Sequence, residues 1–154
     1  MRRRRNFPIL PLLGIGITGI AILFFLGSFL FSSSQRAENV VETFYSYEQE
    51  GNFNESWELF HPDMKKKFEQ GSYIQDRAHV FIGHFGADSF TYTIEEQDEI
   101  KDWKMSEEAP SNKVAYHYLV TQKYKGKYGT FNFQQDVYVV NHKGDWVILW
   151  DYKG

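Results

Sequence analysis

Five histidines, His61, His79, His84, His117 and His142, are the side chains of this 154-residue sequence best suited to move a proton near neutral pH or to bind a metal ion. None stands four residues from another, the helical spacing that aims two imidazoles at one ion. His79 and His84 are five apart and are expected to diverge. The sequence has no cysteine, so a metal centre needs histidine and carboxylate brought together by the fold. His61-Pro62-Asp63 is the one local hint of that. The missing cysteines also exclude disulfides and a lipid-modified cysteine anchor. No Gly-x-Ser-x-Gly elbow offers a nucleophile, and no glycine-rich loop leads into a helix to cradle phosphate. The motifs therefore predict no catalytic residue, cofactor or metal.

The elements that must position these residues divide into helices first and strands afterwards. Over 36–50, Val40, Val41, Phe44 and Tyr47 recur at helical spacing, with Glu38, Glu42 and Glu48 expected to face outward and Gly51 ending the helix. Asn52 or Asn54 is expected to cap a short helix carrying Trp57, Leu59 and Phe60, which stops before Pro62. Met64 and Phe68 give 63–70 a small apolar stripe. Ser72 is the expected cap of a fourth helix over 73–85 with Ile74, Ala78, Phe81, Ile82 and Phe85 on one face.

After Gly86 the period switches to two. Phe90, Tyr92 and Ile94 alternate with Thr91, Thr93 and Glu95 in a first strand, 89–103. In a second, Val114, Tyr116, Tyr118 and Val120 share one face, with Ala115, His117 and Thr121 on the other. Lys125-Gly126 marks a hairpin into a third strand over 128–141, and Lys143-Gly144 turns the chain into a fourth over 145–152. Both faces of that last strand are apolar enough to be partly buried. Helices in the first half and an antiparallel meander in the second predict an α+β layer fold, three to four helices on one face of a curved four-stranded sheet.

Ahead of these elements, residues 7–31 carry no charge. At about 1.5 Å per residue a helix of that length exceeds the ~30 Å hydrocarbon thickness of a bilayer, with 12–31 its most apolar part. Arg2, Arg3, Arg4 and Arg5 precede the run, which places that side in the cytoplasm. The expected organisation is a basic cytoplasmic segment at 1–6, a transmembrane helix at 7–31 in contact with lipid, a linker at 32–36 and an extracytoplasmic domain at 37–154. A cleaved secretory signal is the competing reading, since Ser32 and Ser34 suit a cleavage site, but a signal's apolar region is usually about 7 to 15 residues. Thirteen basic and twenty acidic residues follow Phe7, a net charge of about −7. That balance argues against nucleic acid and anionic lipid headgroups as partners of the domain. Lys65, Lys66 and Lys67 are read as the solvated face of a short helix.

The element order, the Val-Val-x-x-Phe-Tyr helix at 40–45, the Glu-Gly-Asn-Phe turn at 50–53 leading to Ser56-Trp57, and the closing Gly-Asp-Trp-Val-Ile-Leu-Trp strand at 144–150 together resemble the NTF2-like, cystatin-like superfamily. More narrowly, the chain is similar to the small NTF2-like domain that precedes the transpeptidase in class B penicillin-binding proteins, and to membrane-anchored free-standing versions in Gram-positive bacteria. No Ser-x-x-Lys motif occurs, so transpeptidase chemistry does not carry over. The resemblance implies a cone whose concave sheet face and long helices enclose a cavity. In some relatives a carboxylate or histidine acts there with tyrosine hydroxyls. On this chain the matching material is His117, Tyr116, Tyr118, Asp136, Tyr138 and Tyr92 in strands, with Asp76 and His79 on the fourth helix. Two functions follow as expectations. One is a non-catalytic envelope module that binds a protein partner; the other is a small-ligand binder or isomerase-like enzyme using that cavity. The competing reading of the aromatic residues is that they fill a core that has no disulfides.

Overall fold

A computed structural model describes residues 33–84, 86, 87 and 89–151, apart from the side chains of 80–82. Residues from Ser34 onward belong to one compact unit. The basic segment 1–6 and the apolar run 7–31 lie outside the described residues, among which no helix is long and apolar enough to cross a membrane. Helix α1 is Ser33–Glu50, beginning within the segment read as a linker, and α2 is Phe53–Glu58. Helix α3 is Pro62–Lys67 and α4 is Gln70–Arg77, which continues as a π-helical stretch, Ala78–His84. Strands β1 Phe90–Trp103, β2 Asn112–Gly126, β3 Gly129–His142 and β4 Asp145–Trp150 pair antiparallel in the order β1-β2-β3-β4. The α+β class and the meander are as the two hydrophobic periods predict.

Helix α1 buries Ala37, Val41, Phe44, Tyr45 and Glu48. This stripe is rotated by about one position from the expected one, so Val40 and Tyr47 sit at its margin. Each end of α1 is tied to the sheet. At the start, the Tyr118 hydroxyl donates to the Ser34 carbonyl at 3.0 Å and Ser34 Oγ to the Glu96 carboxylate. At the end, Gln49 Nε2 donates to the Phe90 carbonyl at 2.6 Å. Gly51 then adopts φ +77°, a left-handed conformation that lets its N–H reach the Glu48 carbonyl and the Asn52 N–H reach that of Tyr47.

The helices that follow differ from the pattern in their ends. Asn52 caps α2 through its backbone carbonyl, while its side-chain amide donates to Glu50. Helix α3 is shorter than 63–70, opening on Pro62 with His61 Nδ1 accepting the Asp63 N–H at 3.2 Å. Helix α4 starts at Gln70, so Ser72 lies inside its first turn and Glu69 takes the cap position. Between α2 and α3, Phe60 pairs in parallel with Ile148 and adds a short fifth rung at the edge of β4.

Alternation gives the sheet two apolar layers. Toward the helices lie Tyr118, Val120, Tyr124, Val137, Val139 and Ile148, packed on Phe44, Phe60 and Met64. The opposite face buries Ala115, Tyr138, Val140 and Leu149 under Trp103. A register shift between Glu96 and Glu99 puts Ile100 opposite Ala115, and Asp102 at φ +53° lets Trp103 turn onto Tyr138, the rings stacked at 4.3 Å. Gly51→Ala is expected to destabilise the domain by about 1 kcal/mol, since the left-handed conformation disfavours any Cβ although the space around it is open. Urea unfolding of the two chains checks this.

Candidate functional site

The eight residues marked by the cavity expectation do not share one site. His117, Asp136 and Tyr138 come together on the sheet face turned away from the helices. There His117 Nε2 lies 2.8 Å from Asp136 Oδ1, and the imidazole stacks on Tyr138 at 4.6 Å. Tyr116, Tyr118 and Tyr92 belong to the opposite face. Tyr118 is bonded to Ser34, Tyr92 to the Glu42 carbonyl, and Tyr116 packs on Trp146. Asp76 and His79 are exposed on α4 and its continuation. Neighbouring residues of a strand point to opposite sides of a sheet, so Tyr116 and His117 cannot line one cavity. The His117–Asp136 pair is itself a surface ion pair, with Asp136 more than half exposed, and contributes at most about 1 kcal/mol.

His79 and His84 do not diverge. A π-helix closes hydrogen bonds over five residues rather than four, so residues five apart stand above one another and the two rings meet at 4.4 Å.

The polar centre of the domain is elsewhere, inside the layer between helices and sheet. Glu48 was expected to face outward; its side chain is fully buried. Its Oε1 accepts from Ser56 Oγ at 2.5 Å and from the Tyr73 hydroxyl at 2.6 Å, and its Oε2 accepts from Arg77 Nε at 2.5 Å and from Arg77 Nη2. One carboxylate thus joins α1, α2 and α4. Burial works against the Arg77 charge, but Glu48, Tyr73 and Tyr124 outweigh it and hold the guanidinium protonated. Burial, reinforced by the Glu48 charge, pushes the Tyr45 and Tyr73 hydroxyls far above the ordinary phenol range. Tyr124 rises to about 12, burial again dominating over the lowering effect of Arg77. Tyr124 donates to Gln122 Oε1 at 2.6 Å, which satisfies a second buried polar side chain.

Beside this cluster is a cavity of about 100 Å³, lined by Glu48, Arg77, Phe53, Ser89, Phe90 and Tyr124 among others. Sites for small organic ligands usually run to about 300–1,000 Å³, so this one has room for a few waters only. No protein-family model matches the chain, and no curated protein is significantly similar to it.

A third group joins α3 to the end of β3. His61 Nε2 and His142 Nδ1 are 3.0 Å apart, and Asp63 Oδ2 lies 3.5 Å from His61 Nδ1. Burial lowers the His61 pKa, with Asp63 opposing that shift. Among the described residues no group of three or more His, Cys, Asp or Glu gathers in a way that could hold a metal ion.

The Glu48 cluster had a local signal. Glu48 stands four residues after Phe44 and seven after Val41, on the buried stripe itself, and Arg77 stands four after Tyr73. The His61–His142 pairing, 81 residues apart, had none.

Because removing one member of a buried pair strands the other charge, Glu48→Gln and Arg77→Met are each expected to cost about 3–5 kcal/mol. The double variant should be no less stable than either single one, because the amide still accepts from Ser56 and Tyr73 and no charge is left unpaired. A double-mutant cycle by chemical denaturation measures this. The Tyr45 hydroxyl is buried without a hydrogen-bond partner, so Tyr45→Phe is expected to raise stability by about 1 kcal/mol. An unchanged or lower denaturation midpoint contradicts that.

Proposed function

We propose that this chain is a membrane-tethered, extracytoplasmic NTF2-like module that binds a cell-envelope protein and performs no chemistry of its own. The observation that carries this reading is how the polar groups inside the helix–sheet layer are used. Glu48 meets Ser56, Tyr73 and Arg77, and Tyr124 meets Gln122, so each of these groups is committed to a neighbour within the fold. A carboxylate that accepts four donors, two of them from a guanidinium, has no lone pair directed at a substrate. The adjoining cavity is too small for the ligands that open cones take up.

The four-stranded meander with helices on one face is the architecture that the resemblance implies, and the uncharged run 7–31 behind four arginines supplies the tether. The groups turned to solvent are on the outside. The His117–Asp136 pair sits on the outer sheet face, and Tyr128 and Phe133 are exposed on the β2–β3 hairpin, Tyr128 by 83%. Exposed aromatic side chains at a rigid hairpin are suited to anchoring a protein contact.

A photo-crosslinker at Tyr128 or Phe133 of the full chain in cells is expected to capture one envelope protein reproducibly. Capture should fail with the crosslinker at Asp76 or with residues 7–31 scrambled. External protease should digest the domain on intact protoplasts. Capture of nothing from either hairpin position, or protection of the domain from that protease, overturns the reading.

A further inference from the structure

We propose that His61 and His142 form a binding site for a divalent transition-metal ion of the imidazole-binding kind, with Asp63 orienting His61 from behind. The two nitrogens that face each other are 3.0 Å apart on nearly perpendicular rings, at 86°. Two imidazole nitrogens each about 2.1 Å from one ion lie about 3.0 Å apart when the angle at the ion is a right angle, and about 3.4 Å apart when it is tetrahedral. The spacing found here is that of an N–H···N hydrogen bond and equals the right-angled one, so turning the two rings, without separating them, aims both nitrogens at adjacent positions of a tetragonal Cu²⁺ or Ni²⁺ ion; a shift of a few tenths of an ångström admits Zn²⁺.

Binding an ion exchanges one arrangement of protons for another. Without an ion, His61 Nδ1 accepts the Asp63 N–H, so its proton is on Nε2 and is donated to His142 Nδ1. With an ion bound, Nε2 must be bare. The proton then moves to Nδ1, which gives up the bond it accepts from the Asp63 N–H, and Asp63 Oδ2, 3.5 Å away in the ion-free pair, closes in to accept it while Asp63 Oδ1 stays on Lys66. The imidazole remains neutral throughout, and a carboxylate behind a ligating histidine is the usual arrangement for fixing its tautomer.

His61 is buried, whereas His142 lines an open groove with Glu58, Lys65, Asp145 and Trp146 among others. That groove is the entry path and leaves the remaining coordination positions to water. The chain supplies two ligands only, so binding is expected to be reversible and the ion exchangeable. Its consequence is mechanical, because the ion clips the start of α3 to the end of β3.

The test uses the untagged full-length chain. Cu²⁺ titration should give one saturable site, with electron paramagnetic resonance showing coupling to two imidazole nitrogens. Ni²⁺ at a hundredfold excess over its Kd should raise Tm by roughly 8 °C. His142→Gln and His61→Gln should each abolish the two-nitrogen signal and the Tm rise, while the double variant His79→Gln/His84→Gln should keep both. The proposal fails if no saturable site appears or if the resonance shows other than two imidazoles. It fails equally if the signal follows His79 and His84. Should His61→Gln unfold the chain, the variant at the less buried His142 and the wild-type spectrum still decide.

Discussion

A single buried carboxylate sets the terms for the rest of the domain. Glu48 sits near the end of α1, on the face that meets the sheet, and its oxygens accept from side chains of α2 and α4. An ionised group in that position is costly unless its lone pairs are occupied, so the placement of Ser56, Tyr73 and Arg77 is tightly constrained. Tyr73 and Arg77, four residues apart in α4, face inward together and reach Glu48. Gly51 must turn the chain immediately after α1 for Ser56 to arrive beside Glu48.

The sheet serves the same layer from the other side. Tyr118 and Gln49 tie the two ends of α1 to the strands at separate points, which fixes the helix along the sheet. The second face of the sheet has its own cover, because the irregularity at 96–99 and the left-handed Asp102 carry Trp103 onto Tyr138. Residues that look adjacent in β2 are thus divided between two environments. Tyr116 and Tyr118 belong to the helix side, and His117 belongs to the Trp103 side. The same division separates the histidine from Tyr92, Tyr116 and Tyr118 and leaves it Tyr138 of the four candidate tyrosines.

Much of the architecture was legible in the sequence. The switch from helical to alternating period after Gly86 gave the α+β class, and Lys125-Gly126 and Lys143-Gly144 gave both hairpins to within a few residues. Helix ends were less legible. Ser72 and Asn52 look like side-chain caps, yet Glu69 takes the cap position of α4 and Asn52 caps α2 through its backbone carbonyl. The centre of the domain was misread because a glutamate was assigned to solvent by its type. Its spacing from Val41 and Phe44 already put it on the buried face, but only the three donors, 8, 25 and 29 residues further on, make that burial tolerable. Of the candidate site, the His117–Asp136–Tyr138 group follows from the pairing of β2 with β3. The approach of His79 to His84 needs a π-helical turn that an α-helical period does not give, and the meeting of His61 with His142 depends on tertiary placement that no local pattern encodes.

If Glu48 binds α1, α2 and α4 into one cooperative unit with the sheet, those elements should open together. Native-state hydrogen exchange measures this most directly. The amides of 41–48 in α1, the last turn of α2 and the hydrogen-bonded amides of α4 are expected to share one opening free energy with the central strands β2 and β3. Opening of α2 and α4 at a much lower free energy than the strands would contradict the account.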